Sequence, residues 1–552
     1  MQTRIRIQHL FLLAGILFLA SCSKSNKEGR YIPKNAGVVV LVNGESISSK
    51  LPWSEVKQND LFKKLYTDST LDAFVKSALD NPENTGIDTK KNFLFFFEKD
   101  SLGGYIAIEG SVKDAAKFKS FIASAAKNAT ETKKDDVLSL SGERTGATWD
   151  KDRFVILIDA PETNNANNFG IPDTLAPAPK AIRNITVTSN GIFNLKEDAS
   201  LAGEEKFTDM LKNKADLHFW MNAASLNSGA TSPAMAALSM LNLSKLYEGS
   251  VTTAAVNFEN GQINVDMKSY SGKEMTEITK KYSGSSINSD MIKRIPAKDV
   301  AVLFAMNFKP EGIREFIKLA GLEGFANMGT GFLGFSLDDF IKANKGDIVF
   351  SLSDISQDSA GKPTMNAIFS ASIGDKNAFG KLIDAGNKLG KEKLGGMTPP
   401  IFYNSNDNYF AIGSQKESVD KFIGSASNSS LSFLDKFKDG PVAFYLNFKS
   451  LLTGFAGNAA SRDSLDNIAY QATLNMWETV IANGGTFKDG GVNQHIEINL
   501  VNKKENSLKL LNTYLGTLGN IQQQKTEYRN KMMSESASVD FDAPVIEESS
   551  SN

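Results

Sequence analysis

Few residues of this chain could carry out metal or acid–base chemistry. Three histidines occur in 552 residues, and only His218 and His495 lie beyond the N-terminal segment. A zinc site needs several His, Cys or carboxylate ligands at compatible spacings, and the sequence has one cysteine and no His-Glu-x-x-His motif. Both histidines lie in runs that alternate apolar and polar residues. We therefore expect ordinary strand residues, no metal and no cofactor.

The segment Gly329-Thr-Gly331-Phe-Leu-Gly334 matches the glycine spacing of dinucleotide-binding loops. That fingerprint requires a preceding strand, whereas residues 312–325 have a helical pattern. We interpret the segment as a flexible loop between a helix and a strand.

Motifs of common hydrolases are incomplete. Ser-x-x-Lys occurs at residues 124–127 and 418–421, but its companion motifs and Gly-x-Ser-x-Gly are absent. Adjacent acids are assigned to solvated turns or helix starts; they are Asp135-Asp136, Glu204-Glu205 and Asp338-Asp339. Two carboxylates brought together by the fold leave no local signature, so glycan hydrolysis stays open as an alternative.

The chain begins with a segment typical of an exported protein. Arg4 and Arg6 precede an apolar run that ends in Leu19-Ala20-Ser21-Cys22. This pattern resembles the bacterial lipobox, which implies cleavage after residue 21 and diacylglyceryl modification of Cys22. The apolar core of 11 residues is shorter than the about 20 needed to span a bilayer. We expect residues 1–21 to be a signal peptide and residues 22–30 a lipidated tether to the membrane.

Composition narrows the class of protein further. Lys plus Arg number 61 and Asp plus Glu number 63, without a basic stripe, so nucleic acid is not an expected partner. The single cysteine excludes a disulfide framework. Phenylalanine is common, with 36 residues, and we interpret this as core packing.

Six sequence blocks occur twice in the same order. The clearest pair starts with Ile-Pro, continues as an apolar strand and ends with Asn, at residues 32–43 and 295–307. The last pair consists of two hairpins, which turn at Asn260-Gly261 and Asp489-Gly490. We infer two related halves, residues 31–285 and 291–515.

Two segments lie outside this repeat. The first half carries an insertion at about 161–195, whose prolines and low apolar content predict a loop. Residues 534–552 combine acidic residues with a serine run and have no Lys or Arg. This composition predicts a disordered tail.

Each half has two strands that end in asparagine, at Asn43, Asn222, Asn307 and Asn447. A serine or, after Asn307, a proline follows three residues later. We expect the asparagine to end the strand by bonding its own backbone, and the serine to cap, or the proline to start, the next helix. The alternative is that the side-chain amides of the four asparagines come together and bind one ligand.

The expected fold class is α+β. Strand pairs joined by short turns favour antiparallel sheets, and residues 113–127 and 311–320 have helical spacing. We expect each half to be a mainly antiparallel sheet covered by helices on one face. Whether the halves share one sheet is open from the sequence.

The Ile-Pro-x-x-Ala strand start, the Gly86-Ile-Asp element and the two-half layout behind a lipobox carry a family resemblance. They resemble a family of Bacteroidota lipoproteins known only as a domain of unknown function, which implies export but no activity. Surface lipoproteins of that phylum often have an acidic cluster after the lipidated cysteine, whereas residues 23–28 read Ser-Lys-Ser-Asn-Lys-Glu. We therefore expect an outer-membrane anchor on the periplasmic face rather than the cell surface.

Five Asp-Ser or Asp-Thr sites are similar to the O-glycosylation signal of that phylum. The acceptors would be Ser69, Ser101, Thr174, Ser359 and Ser464. Turns and helix caps use the same residues and are the alternative interpretation.

The main functional hypothesis is a non-enzymatic envelope protein that binds a partner or ligand. It is motivated by the shortage of reactive residues beside a large duplicated architecture. One alternative is a carboxylate-based, extracytoplasmic hydrolase acting on glycans. Another is a carrier of an apolar ligand, which predicts a Phe-lined cavity between sheet and helices. The sequence identifies no ligand, partner or oligomeric state.

Overall fold

The computed structural model describes residues 28–66, 73–126, 129–160, 182–227, 242–359, 362–393, 401–424, 431–437, 440–455 and 463–539. In these ranges the chain forms one antiparallel sheet with helices packed against it, so the α+β class is confirmed.

The first half contributes ten strands. They are β1 Val38–Val42, β2 Phe93–Glu98, β3 Tyr105–Ser111, β4 Thr130–Lys134, β5 Val137–Ser141, β6 Thr145–Trp149, β7 Arg153–Asp159, β8 Leu217–Asn222, β9 Val251–Glu259 and β10 Gln262–Tyr270. The second half contributes eight. They are β11 Val300–Asn307, β12 Asn344–Gln357, β13 Pro363–Ile373, β14 Phe402–Ser405, β15 Tyr409–Gly413, β16 Val442–Asn447, β17 Trp477–Lys488 and β18 Gly491–Leu500.

Short helices connect the strands. In the first half they are α1 Gly44–Lys50, α2 Trp53–Val56, α3 Asp60–Tyr66, α4 Ala73–Asp80, α5 Ala115–Ala125, α6 Ile185–Phe193, α7 Glu205–Met210, α8 Ala223–Asn227, α9 Leu243–Tyr247 and α10 Lys273–Tyr282. From the junction onwards they are α11 Ser289–Lys293, α12 Glu311–Leu319, α13 Glu323–Leu333, α14 Leu337–Lys342, α15 Lys376–Lys393, α16 Lys416–Ile423, α17 Phe448–Phe455, α18 Ser464–Met476 and α19 Ser507–Val539.

The two halves have the same strand order. In the first half the order across the sheet is β6-β7-β3-β2-β1-β8-β9-β10. In the second half it is β14-β15-β13-β12-β11-β16-β17-β18. Every neighbouring pair is antiparallel, and these eight strands of each half correspond one to one. The first half adds β5 and then β4 beyond β6.

Pairing of β10 with β18 joins the halves into a single sheet. Asp266 lies four residues after the start of β10 and His495 lies four residues after the start of β18, and these two residues pair with each other. The turns before both strands have positive φ at Gly261, Asp489 and Gly490, which Gly, Asn and Asp tolerate. The question that the sequence left open is therefore answered.

The first half has a buried core on each face of the sheet. We define face A by Val39 and Trp220 and face B by Val40 and Phe219, since paired residues point to the same side. Face A packs against α6, α7 and the 3-10 helix Leu201–Gly203. Face B packs against α5 and the start of α19. Our expectation of helices on one face is wrong for this half.

The second half has a buried core on face A only, among the residues described. It includes Leu303 and Tyr445 of the sheet, Met291 and Ile292 of α11, and Phe422 of α16. The helix α17, which contributes no residue to this core, packs against β11, β12, β16 and β17. The two faces of this half therefore differ in how completely they are covered.

Two expectations about segment boundaries are also wrong. Residues 185–193, inside the expected loop at about 161–195, form α6, because Asn184 caps the helix and Ile185, Ile192 and Phe193 pack into the face A core. Residues 161–181 lie outside the described residues. The helix α19 extends through residue 515 to Val539, so residues 534–539 of the expected tail are helical. Residues 540–552 lie outside the described residues.

Candidate functional site

One row of side chains crosses face B of both halves in the same way. In the first half, cross-strand pairing aligns Val40, Phe95, Ile108, Ile156 and Ala147. In the second half it aligns Phe304, Phe350, Phe369, Ile412 and Tyr403, which we call the open row. The rows correspond because Val40 and Phe304 each lie three residues before a strand-ending asparagine.

The two rows differ in exposure. Ile108 is 3% exposed, whereas Phe369 at the corresponding position is 39% exposed. Ala147 is buried, whereas Tyr403 is 49% exposed. The same face of a duplicated sheet is therefore closed in one half and open in the other.

The helix above each row explains the difference. In the first half Phe118 of α5 is fully buried, with its ring centroid 4.8 Å from that of Phe154 and 5.4 Å from that of Trp149. In the second half Phe379 of α15 occupies the corresponding turn and is half-buried, 5.3 Å from the Phe410 ring. Side chains of α5 fill face B of the first half, whereas α15 covers only part of face B of the second.

Strands β12 and β13 bury serines on face A beside the apolar Val349 and Ile368. Ser351, Ser353 and Ser370 point to face A and are completely buried. Phe350 and Phe369 alternate with them on face B, and each is 39% exposed. Burying a serine while part of a phenylalanine stays exposed leaves apolar surface in contact with water, and an apolar group could cover this surface.

The open row can bind but has little capacity for chemistry. It has no ionisable group other than the Tyr403 phenol, whose hydroxyl donates to Asn387 Oδ1 at 3.2 Å. Phe455 of α17, the helix that lies on β11 and β12, is also exposed. An environment of aromatic and aliphatic groups with one peripheral hydroxyl selects apolar ligands by desolvation.

Helix α13 adds an apolar stripe next to this region. Phe325, Met328 and Phe332 lie on one side of the helix at spacings of three and four residues, and all three are exposed. The helix contacts α12 and α14, and α14 contacts β12 and α15. This glycine-containing segment was expected to be a loop, but Gly329 and Gly331 are helical and Gly334 ends the helix with a φ of +85°.

The centre of face A, where the halves meet, is polar. His495 Nδ1 lies 2.8 Å from Asp266 Oδ1, and Glu497 accepts from Gln262 and Lys436 at 3.1 Å and 3.0 Å. The other histidine, His218, is buried in β8 and its Nε2 lies 2.7 Å from the Asn213 carbonyl oxygen. No group of three or more His, Cys, Asp or Glu side chains within the described ranges could hold a metal ion.

Three of the four strand-end asparagines accept a hydrogen bond from the following helix. Oδ1 of Asn43, Asn222 and Asn447 accepts from the backbone N–H three residues later, at 3.1 to 3.2 Å. Here the asparagine is the capping residue, rather than the serine that we expected. Asn307 differs: its Oδ1 accepts from the Ser285 N–H at 3.1 Å and its Nδ2 donates to Asp347 at 2.7 Å. The four side chains act locally at separate strand ends.

Replacing Asn447 by alanine should lower the free energy of unfolding by about 1 kcal/mol, because the first turn of α17 loses its side-chain cap. Asn447→Asp is the matched control and should stay near wild type, since aspartate also caps. Urea denaturation followed by circular dichroism would measure both. Equal stability of the alanine variant and the wild type would contradict a capping role.

The modification sites that the structure describes are exposed and lie beside aspartates with structural roles. Ser101 and Ser359 lie in turns and Ser464 starts α18. Asp100 accepts from the Leu102 N–H, Asp358 from the Lys362 N–H and Asp463 from the Asp466 N–H. Glycosylation of these serines stays a prediction, as does that of Ser69 and Thr174, which lie outside the described residues.

Lipidation also stays a prediction, because Cys22 and residues 1–27 lie outside the described residues. Within the described ranges, every helix is too short or too polar to pass through a bilayer.

Two buried ionisable groups were missed by sequence reasoning. Arg183 donates to both carboxyl oxygens of Asp100, at 2.6 Å and 2.8 Å, and to Asp159 at 2.8 Å. Glu109 on β3 is 5% exposed, and burial raises its pKa to about 8, although the charge of Arg153 acts in the opposite direction. A charged residue in an apolar run, such as Glu109 in Tyr-Ile-Ala-Ile-Glu, is the only signal that could have indicated it.

The fold and the open row define a class: a duplicated, single-sheet α+β protein with partly exposed aromatic side chains on one face of its second half. The chain belongs to the family described as "Domain of unknown function (DUF4836)", whose model matches residues 30–398. This confirms the expected relationship to a family of unknown function.

Comparison with solved structures finds similarity to TP0453 in two crystal forms. For crystal form I the TM-score is 0.25 and the identity 10%, covering 46% of this chain and 81% of that chain. For crystal form IV the TM-score is 0.25 and the identity 9%, covering 43% and 80%. No curated protein matches the chain.

Proposed function

We propose that this protein is a non-catalytic, lipid-anchored protein of the cell envelope that binds the acyl chain of a lipid on the open row. The partial exposure of face B on β12 and β13 carries the proposal, because Phe350 and Phe369 are each 39% exposed while the serines that alternate with them are buried. Covering these rings with an acyl chain would recover roughly 25 cal/mol for each Å² of apolar surface removed from water.

The chemistry of the row favours an acyl chain over a peptide or a sugar. Peptides and sugars bring hydrogen-bonding groups that need partners when water is excluded. The row offers only the Tyr403 hydroxyl, at its outer end on β14. An acyl chain needs no partner along the row, and its polar head group would lie outside it.

A catalytic role has less support. Glu109 is enclosed in the first-half core, His218 is buried in β8, and His495 is paired with Asp266 at the polar centre of face A. A substrate on face B would not contact any of these groups. We therefore do not propose hydrolysis of glycans.

Export and anchoring complete the proposal. The lipobox-like sequence at Cys22 would tether the folded part close to the membrane that supplies the ligand. We propose the periplasmic face of the outer membrane as the location. Labelling with radioactive palmitate, and its loss in Cys22→Ser, would test the anchor separately from ligand binding.

Binding of a fluorescent fatty acid, cis-parinaric acid, tests the open row. The double variant Phe350→Ser/Phe369→Ser should bind it about tenfold or more weakly, since each ring supplies apolar area worth on the order of 1 kcal/mol. Both rings are only 39% exposed, so the double variant should also lose some thermal stability, and binding is measured well below its melting temperature. Fluorescence titration would give the two dissociation constants.

Asp266→Ser is the matched control, because it alters an exposed strand position on face A. It should bind the fatty acid like the wild type. Failure of the wild type to bind, or equal affinity of wild type and double variant, would refute the proposal.

A further inference from the structure

The outer edge of β14 differs from the matching edge in the first half. In the first half β6 pairs with β7 on one side and with β5 on the other. In the second half β14 pairs with β15, and no strand within the described ranges pairs with its other side. The outer edge of β6 is therefore paired with a strand of the same chain, whereas no described strand pairs with the outer edge of β14.

The position of β5 corresponds to a hollow beside β14. In the first half Ser139 of β5 bonds to Thr148 of β6 at 3.0 Å, and Thr148 bonds to Ser189 of α6 at 2.8 Å. In the second half Asn404 replaces Thr148 in the register, and its Nδ2 donates to Asp420 of α16 at 2.8 Å. The contact that Ser139 makes in the first half has no described counterpart in the second.

The hollow has a volume of about 370 Å³. It is lined by Ile401, Phe402, Tyr403, Asn404, Lys416, Val419 and Asp420. Helix α16 forms one wall, as α6 does beside β5. The lining is polar where Lys416 pairs with Asp420 at 2.6 Å and apolar at Val419 of α16 and Phe402 of β14.

We propose that the free edge of β14 binds an extended segment of another polypeptide as an added antiparallel strand. Edge strands present unpaired N–H and C=O groups that such a segment satisfies. The strand β5 shows the chemistry that fits: Val137-Leu-Ser-Leu-Ser141 places Ser139 and Ser141 toward the helix and Leu138 and Leu140 on face B. The partner segment would therefore alternate small polar with aliphatic residues.

This inference is independent of the acyl-chain proposal, since it concerns backbone groups at the sheet edge. It also gives a specific form to the hypothesis of a partner-binding protein. The ligand of the open row and the partner strand would meet near Tyr403, whose side chain lies on face B while its backbone forms the edge.

The probe is a labelled synthetic peptide with the sequence of residues 134–142, Lys-Asp-Asp-Val-Leu-Ser-Leu-Ser-Gly. We expect saturable binding to the full chain, measured by fluorescence anisotropy, and slower hydrogen exchange of the amides of residues 402–405. Protection of these amides shows that the peptide binds at β14, whereas a peptide that displaced the chain's own β5 would leave them unprotected.

Two N-methylated peptides supply the matched control without altering the protein. Alternate residues of an antiparallel strand donate to opposite sides. One peptide is methylated at residues 138 and 140 and the other at residues 139 and 141, so only one of them loses hydrogen bonds to β14. That peptide should bind about tenfold or more weakly than the other, because each lost backbone hydrogen bond is worth about 1 kcal/mol.

Three outcomes would overturn the inference. They are peptide binding weaker than about 1 mM, equal loss of affinity with both methylated peptides, and protection of residues 402–405 that depends on protein concentration alone. The last result would assign the edge to a second copy of this chain.

Discussion

The Arg183→Met variant is expected to lose roughly 3 to 5 kcal/mol of unfolding free energy, because it breaks a buried ion pair and leaves one partner uncompensated. The Arg183 side chain is 3% exposed, and it donates to Asp100, Asp159 and the Gly104 carbonyl oxygen. Without it, the buried carboxylate of Asp159 has lost its cation. Urea denaturation followed by tryptophan fluorescence would measure the loss.

Arg314→Met is the matched control for this experiment. Arg314 pairs with Asp338 where both side chains are about half exposed, so its removal should cost less than about 1 kcal/mol. The double variant Arg183→Met/Asp159→Asn should recover part of the loss, since it removes the unpaired charge. If Arg183→Met were no more destabilising than Arg314→Met, the buried pair would have no special importance.

The second large effect is a pH dependence of stability that originates at Glu109. Burial raises the pKa of this carboxyl from 4.5 to about 8, with the Arg153 charge opposing the shift. The folded protein therefore holds a proton that the unfolded chain releases near pH 4.5. The bound proton therefore contributes to the free energy of unfolding. This contribution is fully present below pH 4.5 and is lost as the pH rises through about 8, and in total it amounts to up to roughly 5 kcal/mol.

Glu109→Gln should remove this slope, because glutamine stays neutral at every pH. The variant and the wild type should have similar stability at pH 5, and the variant should be more stable by several kcal/mol at pH 9. Urea denaturation at pH 5, 7 and 9 would show the two stabilities diverge as the pH rises. Glu131→Gln, on the exposed strand β4, is the matched control. Parallel pH profiles of Glu109→Gln and wild type would contradict the assignment.

The duplicated plan could be predicted from the sequence because local signals repeat in order. Ile-Pro before an apolar strand, asparagine at the strand end and a tight turn in the last hairpin all mark local structure. The single sheet could not be predicted, since it depends on the pairing of β10 with β18, whose residues are more than 220 positions apart. No local pattern specifies such a partner.

The candidate site was missed because alternation identifies two faces of a strand without indicating which one is covered. In β12, Val349-Phe350-Ser351 suggests a buried phenylalanine and an exposed serine. Helices α11 and α16 instead cover the serine face, and the phenylalanine face is left partly open. The abundance of phenylalanine, which we assigned to core packing, is thus partly explained by the open row.

Helix α6 was missed for a different reason. Its sequence, Ile-Thr-Val-Thr-Ser-Asn-Gly-Ile-Phe, is rich in β-branched residues and follows a proline-rich stretch. Packing of Ile185, Ile192 and Phe193 against face A outweighs this weak helix propensity. Tertiary contacts decided the local structure here.

The pairing of Asp266 with His495 shows what a covalent link between the two halves permits. A twofold axis that relates β10 to β18 would pass between Asp266 and His495. If two identical chains formed the same pair of strands, the residue at this position of one chain would face the same residue of the other chain. Two aspartates there would repel and two histidines would compete for protons. Because one polypeptide contains both halves, the residues at the two equivalent positions can differ, and an acid faces a base at the symmetry axis.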